Sequence, residues 1–125
     1  MTRSNIYITL SNAKKLFFVA DSSSAPEQGF IVEQLIQPLL DLNDAKKELQ
    51  LIEAHSDAIK ELRTNAMYRY EIDLCNKTVT FFEENYDHKT GKFRKGKDLT
   101  EERYMPYVQS LRSKEDNSEN ENSKQ

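Results

Sequence analysis

One cysteine, two histidines and no long apolar run are what this chain of 125 residues offers, and each scarcity removes a class of chemistry. Cys75 alone excludes an intramolecular disulfide and fits a reducing compartment. His55 and His88 lie far apart, and neither sits in a cluster with zinc-site spacing. Glu53, His55 and Asp57 group three potential ligands, but no second His or Cys cluster supports them, and such helix-end residues more often serve as caps. No window approaches the ~20 apolar residues that cross a bilayer. Ile6 to Leu10, the first apolar run, is too short for a signal-peptide core. A cytoplasmic protein is the expectation. The net charge of −3 gives no overall field that would draw the molecule to nucleic acid or an anionic membrane.

The length fits one domain. Apolar residues make up 37% of the chain, and the deficit is concentrated at one end. Lys114 to Gln125 contains no apolar residue and cannot bury enough area to offset its ordering entropy. The expected organisation is a single domain over 1–113 and a disordered polar tail over 114–125.

Along the chain, Ile6, Ile8 and Leu10 fall on one face at period two, and Leu16 to Ala20 follows after a polar turn, which predicts a β-hairpin. Asp21 to Pro26 carries helix-start chemistry. Val32, Leu35, Ile36, Leu39 and Leu40 then form a helical stripe, in which Pro38 predicts a kink or a break. Asn43-Asp44 can cap a second helix with Ala45, Leu49 and Ile52 inward. Ala58, Ile59 and Leu62 read as a final short helix or turn. Tyr68, Tyr70, Ile72 and Leu74 alternate with charged residues. A two-residue turn at Asn76-Lys77 opposes Leu74 to Val79 and Ile72 to Phe81, a second hairpin with its apolar side chains on one face. Glu84 to Lys97 reads as a polar loop. Asp98 to Glu101 has capping-box spacing before a short helix bearing Tyr104, Val108 and Leu111, weakened by Pro106. The fold class expected is α+β, in the order β-β-α-α-β-β-α: two hairpins in one four-stranded antiparallel sheet with helices on one face.

The motifs narrow function further. Gly91 to Lys97 matches phosphate-loop spacing, but Asp98 stands where a hydroxyl would meet magnesium, and the preceding strand belongs to a hairpin rather than a parallel βαβ unit. Ser22-Ser23-Ser24 lacks the elbow and base that a serine nucleophile needs. Adjacent Glu83 and Glu84 point to opposite faces of a strand, unfit for joint acid–base work. An enzyme is not expected, nor a cofactor, a metal or a small-molecule substrate. Strand aromatics read mainly as core, with Phe82, on the face opposite Val79 and Phe81, the best exposed contact. Lys89, Lys92, Phe93, Arg94, Lys95 and Lys97 form a basic stretch with one aromatic, flanked by acids that partly cancel its field. The resulting expectation is a non-enzymatic protein-interaction module acting as adaptor, regulator or inhibitor, with a protein partner or self-association. The alternative is a nucleic-acid-binding accessory protein using the basic loop over 88–97. A third, enzymatic possibility requires Glu53, His55 or Asp57 to converge with His88 in one hollow.

Overall fold

Six strands and a layer of helical segments make up the computed structural model, which describes residues 2–113. The tail expected from Lys114 onward lies outside the described residues. Strands β1 (Ser4–Thr9) and β2 (Lys15–Ala20) form the first expected hairpin. Beyond them lie β3 (Ala58–Ile59), β4 (Tyr68–Asp73), β5 (Thr78–Asp87) and β6 (Lys92–Asp98). Their order is β3-β2-β1-β4-β5-β6. Every neighbouring pair is antiparallel except β1 and β4 at the centre, which run parallel. The α+β class stands, but the four-stranded antiparallel sheet is corrected to a six-stranded mixed one.

Both extra strands carry weak sequence signals. Ala58–Ile59 is too short to alternate visibly, and it pairs with Val19 and Phe18 instead of forming a helix or turn. Lys92–Asp98 is rich in charge, so it reads as loop, yet it pairs with the end of β5. The region expected as a polar loop over Glu84 to Lys97 is therefore mostly a ribbon, turning through 88–91 with Gly91 at φ 69°.

The β4–β5 hairpin keeps its apolar face but not its predicted register. Ile72 opposes Val79 and Tyr70 opposes Phe81, a slip of two that preserves facing while lengthening the turn to 74–77. Asp73 explains the longer turn. Its carboxylate accepts from the Cys75 and Asn76 backbone N–H groups and from Asn76 Nδ2, a side-chain mimic of a backbone turn.

One sheet face is covered. Ile6, Phe18, Tyr70 and Phe81 are fully buried there against Ile31, Leu35, Ile36, Leu39 and Ile52. The apolar stripe is helical as expected, but it changes type at its proline. A wide π-turn, Ile31–Ile36, passes into α1 (Gln37–Leu42) with Pro38 in the first turn of the α segment. The same arrangement recurs where Thr100–Tyr104 is a π-turn and residues 105–113 continue as α-helix through Pro106. Gln37 and Met105, just before the two prolines, donate five residues back to Val32 O and Thr100 O, so each proline follows a widened turn and the helical run continues through it. In α2 (Ala45–His55), capped by Asp44, the inner face holds Ile52 and a buried Glu48. The Glu48 carboxylate accepts from Ser11 N–H at 2.9 Å and from the Ser11 hydroxyl, tying α2 to the β1–β2 turn.

Residues 60–66 carry the chain from β3 back to β4 across the opposite face. Asn5, fully buried, holds this crossing as a strand would. Its Nδ2 donates to Arg63 O at 3.1 Å and its Oδ1 accepts from Arg63 N–H at 2.8 Å. The Arg63 side chain binds Asp21, which Arg3 also contacts at 2.9 Å. The Arg63 hydrogen bond is the main reason the Asp21 carboxyl ionises below its usual range.

Replacing Asn5 with Ala leaves main-chain groups of Arg63 without their partner, and urea unfolding should show a loss of about 2–4 kcal/mol. Phe17→Ala, at an exposed sheet position, should cost less than about 1 kcal/mol. Equal costs for the two would refute a special role for Asn5.

Candidate interaction surface

Side chains on the second face of the sheet follow from the registers. One row reads Phe17, Tyr7, Glu71, Thr80; the next reads Lys15, Thr9, Asp73, Thr78. Short threonines between taller Phe17, Tyr7 and Lys15 leave a depression of about 550 Å³ over β2, β1, β4 and β5. A third row, Val19, Asn5, Arg69, Phe82, lies where residues 60–66 cross Val19 and Asn5.

The aromatics therefore divide. Phe18, Tyr70 and Phe81 are core as expected, and Tyr68 packs against Phe81. Tyr7, Phe17 and Phe82 lie on the second face, and Phe17 is 39% exposed. Phe82 lies on the expected face, opposite Val79 and Phe81 in the pleat, but it is half-buried, and the exposed large apolar side chains among the described residues are Phe17, Phe30 and Met67. Tyr7 and Phe17 were hidden by their apolar neighbours. Their odd-numbered spacing against Ile6, Ile8 and Phe18 was the available signal.

Charge on this face is paired. Arg69 donates to Glu84 Oε1 from Nε at 3.0 Å, and its Nη2 lies 2.9 Å from the same oxygen. Asn5 Nδ2 donates to Glu84 Oε2 at 2.9 Å. Arg69 also lies 4.3 Å over the Tyr7 ring and reaches Glu71 at 3.3 Å. Lys95 lies 3.4 Å from Glu71 and 5.0 Å over the Phe82 ring. Lys15, Arg69 and Lys95 thus balance Glu71, Asp73 and Glu84. Burial, and next the Glu84 charge, push the Tyr7 phenol up to about 12.

The basic stretch is split by the ribbon. Phe93 and Lys95 share the second face with Tyr86, whose ring lies 4.8 Å from that of Phe93 and 4.8 Å from that of His88. Lys92 and Arg94 alternate to the other face, where Arg94 approaches Asp87 at 3.8 Å. Lys97 is paired with Glu102 at 2.9 Å. Among the described residues, Lys89 and Lys92 have no ion-pair partner. Gly96 lies in a bulge opposite Glu83, where an added Cβ would stand 2.7 Å from Asn85 Nδ2. The phosphate-loop spacing thus falls on an antiparallel turn and strand.

His55 and Asp57 line a separate hollow of about 490 Å³ with Ser22, Ser23 and Phe30. His55 Nδ1 pairs with Leu51 O at 3.0 Å, and Asp57 accepts the Asp21 N–H at 2.6 Å. His88 is on the ribbon and does not line this hollow. No group of three His, Cys, Asp or Glu side chains among the described residues could hold a metal ion. Among the same residues no helix is long and apolar enough to cross a membrane. Compared with family models, curated proteins and solved structures, the chain matches none.

The burial of the Tyr7 phenol makes stability depend on pH in the alkaline range. Between pH 10 and about 12 the unfolded phenol ionises while the folded one stays protonated, so its share of stability is lost as pH rises through that window. Phenolate absorbance, compared with Tyr7→Phe, should place Tyr7 near pH 12. Glu84→Gln should lower that value without restoring 10, because burial is the larger cause. Ionisation of Tyr7 at an ordinary pH would contradict the placement.

Proposed function

We propose that this protein is a non-enzymatic interaction module that docks a protein partner on the second face of its sheet. The observation that supports this reading is the asymmetry of the sheet. One face is filled by helices, while the other presents Phe17, Tyr7 and a threonine-floored depression, with its charges already neutralised. Exposed aromatic area with balanced charge favours protein surfaces over polyanions. The nucleic-acid reading is weaker, because Phe93 lies opposite Lys92 and Arg94 in the pleat, and Lys95 and Lys97 are held by carboxylates.

A photo-crosslinking residue at position 17 should capture a defined protein, or a second copy, in cells. Thr80→Arg, which fills the depression floor, should reduce that capture about tenfold while leaving the melting transition in place. A chain that sediments as a monomer and crosslinks to nothing overturns the proposal.

A further inference from the structure

We propose that the outer edge of β6 accepts an acidic, extended segment of a partner protein as an added strand. β6 ends the sheet on its side, and beyond Glu83 the β5–β6 ribbon runs past the last residue of β4 that pairs with β5. Main-chain groups on the outer side of such a strand have no neighbour within the sheet. The opposite edge, β3, is only Ala58–Ile59, too short to serve.

The side chains specify the occupant. A ligand lying on one face of the ribbon meets the Phe93 ring or the Lys92 and Arg94 charges, but not both. A strand added beside β6 meets both, because its own side chains alternate between the two faces. Residues on the Lys92 and Arg94 side must then be Asp or Glu, for Lys92 has no ion-pair partner among the described residues and Arg94 is 64% exposed. Residues on the Phe93 side are apolar, since the Lys95 ammonium on that face is already engaged by Glu71. Antiparallel pairing of two β6 strands would set Lys92 against Arg94, or Arg94 against itself, and like charges directly opposite are destabilising. The charge that keeps copies apart thus selects an acidic strand. The bulge at Gly96 interrupts regular pairing, so the usable edge is Lys92 to Lys95. This deepens the interaction-module reading at residues separate from the depression, and Thr80→Arg tells the two apart.

The test is titration of the full chain with a capped peptide alternating Glu and Val, read by amide shifts and hydrogen exchange over 92–95. Binding should slow exchange at β6 and persist in Thr80→Arg. It should weaken about tenfold or more in Lys92→Glu/Arg94→Glu, and equally when the peptide nitrogens facing β6 are methylated. Lys92→Gln/Arg94→Gln gives the same comparison if the charge reversal prevents folding. The proposal is overturned if no peptide binds, or if a permuted peptide with its glutamates in one block binds as tightly. It is also overturned if methylation has no effect, or if oligothymidylate occupies residues 92–95 more tightly than the alternating peptide.

Discussion

Two neighbouring strands can run parallel only if the chain between them leaves the sheet and returns, and the return from β3 to β4 lies across the face that the helices leave open. Asn5 ties that return to β1. Its side-chain amide meets both main-chain groups of Arg63 and has a second N–H left for Glu84. Glu84 in turn holds Arg69, and Arg69 lies on Tyr7. A buried amide with all of its donors engaged avoids the desolvation cost that an unpaired polar group carries. The Asn5 side chain thus links the crossing loop to the central Arg69–Glu84 ion pair.

The same arrangement separates the two faces by composition. Helices need a continuous apolar surface, which the even-numbered side chains of β1 and β4 supply. The odd-numbered side chains of those strands are free to be polar, aromatic or charged, and they pair with one another and with Glu84 and Lys95 on the neighbouring strands. The second face is thereby released from the packing constraint that fixes the first.

Much of this was legible beforehand. The period-two patterns of Ile6 and Ile8 and of Tyr70 and Ile72 marked the inner face, and the helical stripe around Leu35 and Leu39 marked what covers it. Asp44 was recognisable as a cap. Three features were not legible. The parallel meeting of β1 and β4 depends on a pairing between distant segments that no local pattern encodes. β6 was concealed because its stability comes from main-chain pairing with β5, while its own side chains are charged. The register of the β4–β5 hairpin turned on the Asp73 carboxylate, whose capture of the turn amides favoured a longer loop than Asn76-Lys77 alone suggests. At the surface, Phe82 stood out by parity. Tyr7 and Phe17 required knowing which face stays open, and the division of the basic stretch required the ribbon.

The central position of β1 has a consequence for how the molecule is assembled. Contacts of Asn5 reach partners 58 and 79 positions further along the chain. β1 precedes β4 by about sixty residues, so the edge it shares with β4 waits long for its neighbour. Closing such long loops is costly in entropy before any contact rewards it. Folding should therefore be slow relative to a helical domain of this size, with the first hairpin exposing an unpaired, apolar border until β4 arrives. During that interval the nascent chain offers a target for chaperones, and its risk of misassociation lies at the middle of the finished sheet rather than at its rim.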